Sequence, residues 1–101
     1  MSRFETRTSV EYRGVARKNE VQGIERYYTE SRFIGAFRVQ HGEGVLVVDA
    51  DVLAKDVGEA VEAAAKTLRA AMVRAGWNRM TERWDTHVTV PGPMASLQYA
   101  A

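Results

Sequence analysis

The stretch from Asp56 to Gly76 admits one secondary structure, and that decides what the rest of the chain must do. Asp56 and Glu59 stand three apart, the spacing at which one carboxylate accepts from first-turn N–H groups while the other reaches back. From Val57 the apolar residues Ala60, Val61, Ala64, Leu68, Ala71, Met72 and Ala75 recur at steps of three and four, one stripe of a 3.6-residue period. Glu59, Glu62, Lys66, Arg69 and Arg74 fall off that stripe, acids early and bases late, as the helix macrodipole favours. Gly76 supplies a left-handed stop. The spacing predicts a helix over Val57–Ala75, about 28 Å long, whose alanine-rich face allows close approach to a sheet.

Strands are the expected partners of that face. Arg3 to Arg13 alternates, with Phe4, Thr6, Thr8, Val10 and Tyr12 on one side and Arg3, Glu5, Arg7, Ser9, Glu11 and Arg13 on the other. Gly14 to Gly23 is polar and glycine-bounded and reads as a long loop. Ile24–Thr29 and Arg32–Gln40 read as the second and third strands, the latter with a bulge at Gly35. A short helix opened by Ser31 is the alternative there, because Phe33, Ile34 and Phe37 also suit one helical face. His41-Gly42-Glu43-Gly44 is a hairpin signal, followed by Val45–Val48, a run without alternation that suits a strand covered on both sides. Asp49 and Asp51 are then assigned to the helix entry. After Gly76 the alternation returns from Met80 to Val90, with Trp84, Thr86 and Val88 opposed to Arg83, Asp85 and His87.

The expected fold class is therefore α+β: an antiparallel sheet of four to five strands with one long helix on one face, formed by residues 1–93 as a single domain and followed by a C-terminal tail, 94–101. At 101 residues the chain is short enough for one modest core. The 46% hydrophobic and 27% charged shares are those of a globular domain. Without cysteine there is no disulfide framework and no thiolate metal site. The charged first residues are followed by no apolar region, so a cytoplasmic chain without membrane span is expected. Most of the fourteen bases are arginine and alanine is abundant, a usage associated with GC-rich bacterial or phage genomes.

Candidate sites are sparse. His41 and His87 are the imidazoles from which a metal or hydrolase site can be drawn, with Asp49, Asp51, Asp56 and Asp85 as carboxylate companions and His87 with Asp85 or Asp49 as the enzyme set; no metal-ligand or nucleophile spacing joins them, so no cofactor is expected. Arginine and aromatic residues interleave in the segments read as neighbouring strands, with Arg26, Tyr28, Arg32 and Arg38 forming an Arg/Tyr sheet face that can stack bases and pair phosphates. A net charge of +1 argues against binding dominated by electrostatics. Met94, Leu97 and Tyr99 follow Pro91-Gly92-Pro93 and are candidates for an association surface. By elimination the leading expectation is a small non-enzymatic protein-interaction module, a bacterial or phage accessory protein that binds a larger protein target and also forms homo-oligomers. Nucleic-acid binding is the second expectation and a small enzyme using His87 the third.

Overall fold

The computed structural model describes residues 1–89. The elements follow in the order β1 (Ser2–Tyr12), α1 (Lys18–Glu30), β2 (Ile34–Gly42), β3 (Val45–Ala54), α2 (Val57–Arg74) and β4 (Thr81–Val88). The strands form one sheet in the order β2-β3-β1-β4, with every neighbouring pair antiparallel. β1 and β2, joined through α1, are thus parallel to each other with β3 inserted between them, and β3 and β4 are split in the same way by β1. This is the split βαβ, ferredoxin-like arrangement.

The α+β class and the antiparallel sheet agree with the sequence reading, but the sheet has four strands and two helices cover it. The correction lies in residues 18–30. The sequence reading makes them the end of a loop and a strand, and they form α1, which buries Val21, Ile24 and Tyr28 at steps of three and four. The helix begins where the Glu20 side chain accepts from the Arg17 N–H at 2.8 Å, the reaching-back half of a capping box without a side-chain acceptor at the cap itself.

α2 starts and stops on the residues that announced it. Asp56 Oδ1 accepts from the Glu59 N–H at 2.8 Å, and Glu59 Oε1 accepts from the Lys55 N–H at 2.6 Å. At the other end the Trp77 N–H reaches Met72 O and the Gly76 N–H reaches Val73 O, with Gly76 at φ +79°, the two bonds of a Schellman motif. Ala60, Ala64, Leu68, Ala71 and Met72 are buried, whereas Val57 lies outside the stripe's buried part. The two helices touch closely enough that a Cβ on Gly23 would lie 2.8 Å from the Ala75 Cβ.

Both helices lie on the same side of the sheet. There Thr6, Thr8, Val10 and Tyr12 of β1 and Leu46, Val48, Ala50, Val52 and Ala54 of β3 are buried, most of them in one cluster with Ile24, Tyr28 and Leu68. The buried Thr6 hydroxyl is satisfied by donating to Ala50 O at 2.9 Å. β3 is longer than the run Val45–Val48 suggested and it alternates: Leu46 and Val48 face the helices, while Val45 and Val47 face away. Asp49 and Asp51 are accordingly strand residues, not helix-entry acids. Residues 32–33 form a turn, and residues 34–42 settle as strand, with the register shift between Ile34 and Phe37 where the Gly35 bulge was expected. The tail 94–101 and Val90 lie outside the described residues.

Candidate functional site

The side of the sheet away from the helices carries no covering element among the described residues, and register decides what it displays. Arg3, Glu5, Arg7, Ser9 and Glu11 of β1 stand opposite Leu53, Asp51, Asp49, Val47 and Val45 of β3. On the flanks Arg38 and Gln40 of β2 stand opposite Asp49 and Val47, and His87 and Asp85 of β4 stand opposite Arg7 and Ser9. Directly opposed residues point to the same face, so these side chains form levels that cross all four strands.

One level is tied together by Asp49. Arg7 Nε donates to Asp49 Oδ1 at 2.7 Å and Arg7 Nη2 to Oδ2 at 3.1 Å, a two-pronged pair, and Arg38 Nη2 donates to Oδ2 at 3.3 Å. Hydrogen bonding to Arg7 holds the Asp49 carboxyl below the usual carboxylate range; partial burial opposes this and Arg38 adds to it. The same bond raises Arg7 above the ordinary arginine value. At the β4 end of the level His87 Nδ1 lies 3.0 Å from Asp85 Oδ2, with both side chains half-exposed or more.

The adjacent level is acidic. Glu5 faces Asp51 directly across the strands, and neither makes an ion pair among the described residues. Like charges at opposed positions repel. Between the two levels the face sinks into an open cleft of about 420 Å³, lined by Glu5, Arg7, Ala36, Arg38, Asp49, Asp51 and Thr89 over the Thr6–Ala50 pair.

The residues expected to make an Arg/Tyr sheet face do not share one. Arg26 and Tyr28 lie on α1, not on a strand; Arg26 is exposed there, and Tyr28 is buried against Phe37, its ring centroid 5.4 Å away and its phenol pushed up by burial. Arg32 lies in the turn between α1 and β2, and only Arg38 stands on the uncovered face. His87 and Asp85 are brought together as the sequence suggested, and Asp49 belongs instead to the arginines. Met94, Leu97 and Tyr99 lie outside the described residues. Trp77 and Trp84 serve the core side: Trp77 meets Tyr12 edge-on at 4.8 Å, and Trp84 lies under the Arg69 guanidinium at 4.9 Å. The sequence reading misses the partnership of Arg7 with Asp49, because it gives Asp49 to the helix entry. The signal for it is an alternation continuing past Val48 through Ala50, Val52 and Ala54.

A second polar cluster lies at the end of the sheet. Glu20, 3% exposed, meets Arg79 through two contacts of 3.1 Å, and Arg79 also donates to Val15 O at 3.1 and 2.6 Å. Every one of its partners is a helix start or a connection, so it fastens the entry of α1 to the α2–β4 link.

Among the described residues no helix is long and apolar enough to cross a membrane, and no group of three or more His, Cys, Asp or Glu side chains is arranged to hold a metal ion. No family model matches the chain, and no curated protein matches it. The crystal structure of PH0061 is similar at a TM-score of 0.49 and 10% sequence identity, over 86% of this chain and 53% of that one. This chain thus spans about half the length of PH0061, and a likeness of that size carries no functional argument.

Proposed function

We propose that this chain is a small non-enzymatic protein-interaction module that presents the uncovered side of its sheet to another protein. The observation that carries the reading is the placement of both helices on one side, which leaves four strands with a levelled pattern of charge, a shallow cleft, and the aliphatic side chains of Val45 and Leu53, each 37% exposed. A face of this kind, apolar groups set among charges, suits a protein surface better than a small substrate. Base recognition draws less support, since the described side chains of this face include arginines but no Phe, Tyr or Trp ring on which to stack a base, His87 being the one aromatic side chain among them. The His87–Asp85 pair is a contact between exposed neighbours two residues apart on one strand, and among the described residues no third group hydrogen-bonds to it to complete a reacting constellation.

The test uses the tagged chain in cells of its own host, beside Ser9→Arg/Val47→Arg, which crowds the middle of the uncovered face, and Glu62→Lys on the exposed side of α2. A protein retained by the wild type and by Glu62→Lys, but lost by the double variant at an unchanged thermal midpoint, is the expected result. Retention by all three chains overturns the assignment of the face.

A further inference from the structure

Resting on that reading, we infer that the uncovered face is a docking surface for a second copy of this chain, packed face to face about a two-fold axis that crosses the strands above the Thr6–Ala50 pair. The argument is one of self-complementarity. A two-fold interface must match each surface level against its own image, so a face serves only if some axis brings unlike charges and apolar groups into register.

Thr6 and Ala50 are directly opposed on the two central strands, and both point to the helices, so the level above them is a gap on the uncovered face. On one side of it stand Glu5 and Asp51, then Arg3 and Leu53. On the other stand Arg7 and Asp49, then Ser9 and Val47. An axis through the gap and perpendicular to the strands carries β1 over β1 and β3 over β3, running in opposite directions. Glu5 then meets the other copy's Arg7, twice over by symmetry, and Leu53 meets the other copy's Val47. Asp51 meets Asp49, which already holds two arginines; Arg38, 67% exposed on its side chain and making a single bond, has donors left to bridge both carboxylates.

Three features of the single chain find their reason in this packing. The Glu5–Asp51 pair, repulsive and without an ion pair among the described residues, gains cations. The cleft between the acidic and arginine levels lies on the axis, where arginine side chains from the other copy insert. Leu53 and Val47, the aliphatic groups flanking the axis, cover one another. Four strands about 4.8 Å apart and about eight residues long present roughly 500 Å² in projection, and their accessible area is larger, the scale of one side of a specific interface. An axis parallel to the strands lays β1 over β3: Arg7 then meets Asp49, but Glu5 meets Asp51 and the aliphatic Leu53 and Val47 fall on Arg3 and Ser9, so the apolar match and the cation supplied to Glu5 select the crossing axis.

Glu5→Arg and Arg7→Glu test the pairing directly, because each alone juxtaposes like charges across the axis, while a mixture of the two variants restores opposite charges at both symmetric contacts. The expected result by sedimentation and light scattering is a wild type of twice 11.3 kDa, each variant at 11.3 kDa with its dissociation constant raised about 100-fold or more, and a heterodimer on mixing. Arg7→Glu also removes a partner of Asp49, so thermal midpoints accompany the masses, and Glu5→Arg, which breaks no ion pair within the described residues, is the deciding variant. A wild type that stays at 11.3 kDa up to about 1 mM overturns the proposal, as does a dimer indifferent to both reversals. A monomeric wild type whose captured protein is still lost on Ser9→Arg/Val47→Arg overturns only the self-pairing and leaves the interaction module standing.

Discussion

Gly23 stands inside α1, where general helix propensity says alanine is better by about 1 kcal/mol. The structure says the opposite. A Cβ at this position would lie 2.8 Å from the Ala75 Cβ and 3.1 Å from the Ala75 Cα, against a comfortable carbon separation of about 3.5–4.0 Å. Ala75 caps α2 and is followed by the Schellman turn that brings Trp77 onto Tyr12, so neither neighbour is the free end of a flexible side chain. Relief requires the two helices to part by most of an ångström over the core they share. Overpacking of this kind costs about 1–3 kcal/mol, and setting the propensity gain against it leaves Gly23→Ala destabilised by about 1 kcal/mol. That corresponds to roughly 4–8 °C in thermal midpoint for a domain of this size. Urea denaturation with unchanged slope should show the lower midpoint, and Gly23→Ala/Ala75→Gly should recover part of it, since removing the Ala75 methyl relieves the 2.8 Å contact and leaves the 3.1 Å approach to its Cα. A Gly23→Ala chain more stable than the wild type refutes the close helix crossing.

Three further outcomes follow from named contacts. Leu68→Ala, at a fully buried position, should cost about 2–5 kcal/mol, and Arg69→Ala about 0.5–1 kcal/mol because its guanidinium lies over Trp84; equal denaturation midpoints for the two would mean that the buried side of α2 is misassigned. Arg79→Ala strands the buried Glu20 carboxylate and should cost about 3 kcal/mol or more, while Glu20→Ala/Arg79→Ala should cost less than the two single changes together; strict additivity would count against the ion pair. The folded-state pKa of Asp49 is depressed, so the unfolded chain binds its proton first: the stability Asp49 contributes is present above the ordinary carboxyl range of about 4 and is lost as pH falls through the lower folded value. Stability measured between about pH 2 and pH 6 should fall less steeply on the acid side in Asp49→Asn, and identical slopes would show that the pairing with Arg7 does not discriminate between protonation states.

α2 was legible because its signals are local and redundant: Asp56 with Glu59, the stripe through Leu68, and Gly76 lie within one element and its caps. The hairpin at Glu43-Gly44 and the Gly35 bulge were legible for the same reason. α1 was not, because its evidence conflicts. Gly23 interrupts the interior, Tyr27-Tyr28-Thr29 prefers strands, and Arg17 offers no acceptor at the cap, so the spacing of Val21, Ile24 and Tyr28 stood alone until tertiary burial enforced it. The face was half legible. The alternation of β1 displayed Arg3, Glu5 and Arg7 on one side, but which residue of β3 each meets is fixed by a register between segments some 42 residues apart, and no local pattern encodes it.

The strand order has a consequence for how the chain is made. β1 is synthesised first, yet it occupies an interior position whose two neighbours, β3 and β4, end at residues 54 and 88. At about 5–20 residues per second, roughly 2–8 s separate the end of β1 from the end of its first partner, and about twice that elapses before the second side is paired. Throughout this interval the strand that will become the centre of the sheet has at least one bare edge of backbone N–H and C=O groups. A nascent or prematurely terminated chain that ends before β4 therefore offers β1 itself, eleven residues long, as a template for pairing with any extended neighbour on the same polysome.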